Sequence, residues 1–226
     1  MSATGPRRGS LVTPEFRNRI RALVVPIALF FGRLGLTPNA LTIVGFLGTC
    51  LAAVAAATQN WILAGILVLA FGIFDLFDGA LARATGTASA FGAFLDSTLD
   101  RTGENLVYAG IVFGCAVAGF PLGAFLAATA LSTASVVTYA RARAEAVGLK
   151  GEVGIAPRPE RLVVLTVGLI GAGIGGVGAV PAGSVLPTTA GAIWLSLALL
   201  IIGVTCTVTI IQRILYVHRQ AAPRAD

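Results

Sequence analysis

Little of this sequence is charged. Asp, Glu, Lys and Arg make up 12% of its 226 residues, against about 25% in a soluble globular chain. It also has only one His, three Cys and one Met. Three Cys in a chain of this length exclude a disulfide scaffold, and Cys50, Cys115 and Cys206 fall in different apolar stretches, where they read as small packing residues. The single imidazole, His218, suits the membrane interface and gives Ser/His/Asp chemistry no support. What is abundant is apolar: 56% hydrophobic residues, with 28 Gly besides. That content excludes disorder and leaves one class, an all-α polytopic membrane protein.

The few charges are unevenly placed. None lies between Arg33 and Asp75 (41 residues), between Glu104 and Arg141 (36), or between Arg161 and Arg213 (51). A span needs about 20 apolar residues, so each stretch fits two spans joined by a turn. Thr58, Gln59 and Asn60 supply the first turn, Gly119, Phe120 and Pro121 the second, and a Gly/Pro/Ser-rich run over 171–187 the third. The expected helices are 39–58, 61–83, 91–118, 121–147, 160–178 and 188–216. An even count puts both termini on one side. All 16 Lys and Arg and all ten acids then fall on that side, and the three opposite turns carry none. Positive-inside logic makes it the cytoplasmic face of the cell membrane.

Before the first span, residues 14–35 place Phe16, Ile20, Leu23, Val24, Ile27, Phe31 and Leu34 on one helical face, with Arg17, Arg19 and Arg21 on the other. This is the pattern of a helix lying in the headgroup layer, and also of one packed on cytoplasmic loops. No apolar segment precedes residue 22 to serve as a signal peptide. The expected organisation is a flexible cytoplasmic N-terminus over 1–13, an interfacial helix over 14–35, a six-helix transmembrane catalytic domain over 36–218 and a flexible tail over 219–226.

Asp75, Asp78, Asp96 and Asp100 are the unusual residues. A carboxylate in a membrane helix costs about 2.5–3.5 kcal/mol on insertion scales, and four lie within 26 residues. Spacings of i, i+3 and i, i+4 put each pair on one helix face. The two helices are consecutive and antiparallel, so the pairs can converge near the cytoplasmic surface. Ion pairs anchoring helix ends would share this spacing, but Arg83 and Arg101 supply only two nearby positive charges. Ligands that are all oxygen favour Mg²⁺, Mn²⁺ or Ca²⁺ over zinc. Gly79, Ala82 and Gly92 beside them leave room for a phosphate or nucleotide, or for close helix packing.

These eight positions, Asp75, Asp78, Gly79, Ala82, Arg83, Gly92, Asp96 and Asp100, match the pattern D-x2-D-G-x2-A-R-x8-G-x3-D-x3-D without a mismatch. Chance would produce that about once in 10¹⁰ placements at roughly one in twenty per position. The chain thereby resembles the CDP-alcohol phosphotransferase family, whose six-span architecture agrees with the reading above. The resemblance implies transfer of a phosphatidyl group from CDP-diacylglycerol to an alcohol, with release of CMP. It implies two Mg²⁺ ions, or Mn²⁺, held by Asp75, Asp78, Asp96 and Asp100, with Asp100 also the general base. It assigns Gly79 and Arg83 to the nucleotide, joined by Ser89 and by Thr37, Pro38 and Asn39. Thr37 is also a candidate N-cap. Membrane lipids and a second copy of the chain are expected partners, and nucleic acid is not.

A second basic cluster bears on the acceptor. Arg141 and Arg143 end the fourth span, Lys150, Arg158 and Arg161 follow, and Arg213 ends the sixth. Positive-inside charge explains such residues, and so does a pocket for an acceptor that carries phosphate. The runs Tyr139 to Glu145 and Arg158 to Leu162, with Gln212 and Arg213, resemble the actinobacterial branch of the family that uses inositol 3-phosphate. By that resemblance Arg141, Arg161 and Arg213 hold the acceptor phosphate, with Arg158 next. Lys is common where Arg141 stands, so the charge is kept and the donor geometry differs. Glycerol 3-phosphate is the alternative acceptor. An ion transporter is a more remote alternative, because the non-cytoplasmic halves of the spans lack the polar groups of a pathway.

Overall fold

The computed structural model describes residues 14–181 and 186–221, with 14–22 described by their backbone alone. The expected flexible terminus, the side chains of Phe16, Arg17, Arg19, Ile20 and Arg21, and residues 222–226 lie outside the described residues or side chains. Among those described there are eight helices and no strand: α1 (Pro14–Arg33), α2 (Pro38–Ala57), α3 (Trp61–Phe74), α4 (Leu76–Thr85), α5 (Ala90–Val117), α6 (Pro121–Ala146), α7 (Arg158–Gly175) and α8 (Ala190–Ala221).

Local chemistry sets the boundaries. Thr37 caps α2, its hydroxyl accepting the Ala40 N–H at 3.2 Å, and Pro38 opens the helix where no N–H is needed. Ser89 caps α5 through the Gly92 N–H at 3.0 Å. Gly86 ends α4 at φ +69°, a left-handed conformation that glycine adopts without a Cβ penalty. It lets the chain turn back sharply from α4 into α5.

The single helix expected over 61–83 is interrupted. Asp75 separates α3 from α4, although its backbone stays near helical at φ −56° and ψ −17°. Phe31 of α1 meets Phe74 and Phe77 edge-on at 5.7 and 5.8 Å. With Ala28, Leu41, Ala80 and Leu81 buried beneath them, these rings lock α1 against α4. α8 runs to Ala221, beyond the end at 216 expected for the last helix, and Gln220 exchanges two hydrogen bonds with the Lys150 backbone.

Six helices close a ring in the order α2, α5, α6, α8, α7, α3 and back to α2, while α1 lies outside it on α4. The α2–α5 seam is the tightest. A Cβ on Gly110 would overlap the Ala53 carbonyl oxygen, and one on Gly114 would overlap that of Ala56, so glycine lets the backbones touch. One end of the ring carries the three uncharged turns, where the Val180 N–H bonds the Gly119 carbonyl. The other end gathers the charged residues.

Among the described residues four stretches are long and apolar enough to cross a membrane: Pro38–Ala57, Trp61–Thr85, Pro121–Ala146 and Ala190–Ala221. α5 and α7 were expected as spans too. They differ because α5 carries Asp96, Asp100, Arg101 and Glu104, and α7 carries Arg158, Glu160 and Arg161. The charges that build the site are the charges that lower their apolarity.

Candidate active site

At the charged end, α3 and α4 present Asp75 and Asp78 and the first half of α5 presents Asp96 and Asp100. One carboxylate oxygen from each of Asp75, Asp78 and Asp96 lies within 4.8 Å of the others. Asp78 is buried, at 6% exposure. Among the described residues neither it nor Asp96 has an ion-pair partner. A buried carboxylate without a cation is costly. Three carboxylates converging with oxygen-only donors fit a hard divalent ion.

Asp100 stands slightly apart from these three. A single nitrogen, Nη1 of Arg158, lies 2.5 Å from Oδ2 of both Asp75 and Asp100. Arg158, which the resemblance placed next among the acceptor-phosphate residues, bonds these two acids in the structure. The reason is helical geometry. Arg158 and Arg161 are three residues apart on α7 and share a face turned to the inside of the ring. There they meet Asp100 and Glu104, four apart on α5. α5 and α7 are separated in the ring by α2 and α3 on one side and by α6 and α8 on the other. The two pairs are therefore rungs across the interior. Cavities of about 460 and 270 Å³ lie along this ladder, and Thr49 and Arg158 line both.

A larger pocket, open to solvent and enclosing about 600 Å³ of space, lies beside Asp78 and Asp96. Pro38, Asn39, Gly79, Arg83 and Ser89 all line it. Of the residues expected to contact the nucleotide, only Thr37 is absent from the wall. Small residues keep the space open. A Cβ on Gly92 would stand 3.1 Å from both Asn39 Oδ1 and Ser89 Oγ, and one on Gly79 would meet the Arg83 guanidinium.

The basic side is arranged differently. Arg161 is buried, at 4% exposure. Its Nε and Nη2 bond Glu104 at 2.9–3.0 Å, and Nη1 donates to the Ala156 carbonyl at 2.8 Å. Arg213 donates to the carbonyls of Val153 and Val137. Arg141 pairs with Glu145 and Glu152, both at 2.8 Å, in a half-exposed cluster. Arg213 lies within electrostatic reach of Arg141 and Arg161. The connection between α6 and α7 thus supplies oxygens to all three arginines.

Two residues of this site were not singled out by sequence. Thr42 donates its hydroxyl to Asp78 Oδ2 at 2.7 Å, and Glu104 holds Arg161 and also Arg101. Both had a signal. Thr42 follows Asn39 by three, and Glu104 follows Asp100 by four, each continuing a face already marked.

Comparison with known proteins agrees with this geometry. The family model described as CDP-alcohol phosphatidyltransferase matches residues 35–218. A phosphatidylinositol phosphate synthase of Mycolicibacterium smegmatis is 38% identical over 192 residues, covering 84% of this chain and 81% of that protein. An archaetidylinositol phosphate synthase of Pyrococcus horikoshii is 41% identical over 152 residues, 67% of this chain and 78% of the relative. The crystal structure of Mycobacterium tuberculosis phosphatidylinositol phosphate synthase with CDP-DAG bound superposes with a TM-score of 0.75 at 31% identity, covering 90% of this chain and 96% of that one. The same enzyme in complex with manganese and citrate also gives 0.75, at 32% identity and with coverages of 89% and 91%.

Proposed function

This chain belongs to the CDP-alcohol phosphatidyltransferase family, and from that premise we propose that it transfers the phosphatidyl group of CDP-diacylglycerol to inositol 3-phosphate, giving phosphatidylinositol phosphate and CMP. It is an integral membrane protein. The observation that carries the reading is the cavity that joins five expected nucleotide contacts to Asp78 and Asp96 on one wall. The acceptor is supported by the relatives. A phosphatidyl- and an archaetidylinositol phosphate synthase differ in their lipid by name and share inositol phosphate.

In this reading the CDP group enters the cavity, with Arg83 and the small surfaces of Gly79 and Gly92 against it. Asp75, Asp78, Asp96 and Asp100 would hold the divalent ions. Ions held there supply positive charge to the pyrophosphate and the departing phosphate. Asp100 accepts the proton of the acceptor hydroxyl. The hydroxyl oxygen forms its bond to the lipid-linked phosphorus as the phosphoanhydride bond to CMP breaks. Arg141, Arg161 and Arg213 hold the acceptor phosphate, trading some of their present oxygen partners for it. Arg158, at Asp75 and Asp100, connects the two halves.

The topology belongs to the same proposal. α2, the α3–α4 pair, α5, α6, α7 and α8 make six spans, with the site and both termini cytoplasmic. α1 lies in the interface, supported by exposed Leu23, Ile27, Phe30 and Leu34 along one side. A homodimer completes it, checked by the mass of the protein in detergent.

Detergent-purified protein given CDP-diacylglycerol, Mg²⁺ and one alcohol at a time tests the reaction through CMP release. Release is expected with inositol 3-phosphate and not with free inositol or serine. Release with glycerol 3-phosphate alone would overturn the acceptor, and none with any alcohol would overturn the transfer.

A further inference from the structure

We infer that Thr42 is a positioning residue for the metal centre: its hydroxyl fixes the carboxylate of Asp78 and ties it to the helix whose first turn lines the nucleotide cavity. The inference rests on the reading of the acids as ion ligands, and it adds a residue outside the eight-position pattern. Thr42 and Asp78 are each 6% exposed. They come from α2 and α4 and are 36 residues apart in sequence. Thr42 Oγ1 lies 2.7 Å from Asp78 Oδ2 and 3.1 Å from the Pro38 carbonyl oxygen. The single hydroxyl proton is shared between a ligand and the backbone at the start of α2.

The chemistry makes this bond directional. An ionised carboxylate only accepts, and a hydroxyl can donate. A carboxylate that gives one oxygen to a cation is oriented by the donor on its other oxygen. Such outer partners typically govern about 10–100-fold in metal affinity or activity. Asp78 needs such a partner more than its neighbours do. Asp75 and Asp100 share the Arg158 guanidinium, whereas Asp78 has no cation among the described residues and is the most buried acid of the set. Thr42 also lines the cavity with Pro38 and Asn39. Wall and ligand are therefore one hydrogen-bonded unit, and a shift of the first turn of α2 is felt at Asp78.

The full chain in detergent, without lipid or acceptor, is titrated with Mn²⁺ and followed by the electron paramagnetic resonance signal of the free ion. Thr42→Val keeps the shape and removes the donor, and it is expected to weaken Mn²⁺ binding about tenfold or more. Thr42→Ser keeps the donor and restores binding to within about threefold of the wild type by the same reasoning. Should the Val variant unfold, Thr42→Ala removes the same donor with less crowding and is expected to show the same loss. Mn²⁺ binding in the donor-less variants equal to that of the wild type overturns the positioning role and leaves the transfer reaction standing. Failure of the wild type to bind Mn²⁺ overturns both.

Discussion

The nucleotide side of this site and the acceptor side share α5 but are finished differently. On the first, small residues line an open cavity of about 600 Å³, and two acids face it without cationic partners. On the second, Arg141, Arg161 and Arg213 already bond protein oxygens, from Glu145 and Glu152, from Glu104 and Ala156, and from Val137 and Val153. A preformed cavity binds with little reorganisation, whereas a phosphate entering the basic side exchanges one set of anionic or carbonyl partners for another. Its affinity is a difference between two similar terms. In the proposed reading the acidic half therefore holds the chemistry, and the basic half sets the strength and selectivity of acceptor binding.

The largest effect that sharpens this contrast is at the junction. Asp100→Asn should lower turnover by about 10²- to 10⁴-fold, the range of a lost general base, read as CMP release. Full activity would remove Asp100 from that role. Next is the inner rung. Glu104→Ala strands the buried Arg161 and should cost about 3–5 kcal/mol of stability, measured by thermal unfolding in detergent, while Arg141→Ala in its half-exposed cluster should cost about 1 kcal/mol or less. Equal losses would erase the distinction between a structural and an exchangeable arginine.

Arg161→Ala, assayed below its own unfolding temperature, should raise the acceptor KM about 10-fold or more, the scale of a hydrogen bond to a charged group, with the KM for CDP-diacylglycerol unchanged. Gly92→Ala probes the opposite side. Its methyl crowds Asn39 and Ser89, so it should raise the CDP-diacylglycerol KM about 3- to 10-fold, the scale of mild overpacking, and leave the acceptor KM alone. The smallest effect is at Glu152, an exposed partner of Arg141. Glu152→Gln frees the guanidinium and should lower the acceptor KM by at most about fivefold, given the small worth of exposed pairs. A rise in that KM would mean that Glu152 assists the acceptor.

Much of the site was legible in the chain because its signals are local. The spacings of Asp75 with Asp78 and of Asp96 with Asp100 follow from helical repeat alone, and the cap at Thr37 follows from its place just before Pro38; the cap at Ser89 was not read. The break at Asp75 was not legible. Residues 61–83 read as one continuous helix, and the aromatic packing of Phe31 from a distant element coincides with the interruption. The acid partners of Arg158 were not legible for a similar reason. Sequence placed it among neighbouring arginines, and its partners Asp75 and Asp100 lie 83 and 58 residues away.

By itself, the sequence determined that this is a helical membrane protein with its charges gathered at one end and an acidic motif of one family. Burying polar groups in lipid is so costly that charge placement and helical period leave few alternatives. Only the tertiary structure decided which side chains complete the site. Closing six helices into a ring brought Thr42 to Asp78, Arg158 to Asp75 and Asp100, and Arg161 to Glu104. Those bonds join helices far apart in the chain, and their geometry is fixed by packing that no local pattern encodes.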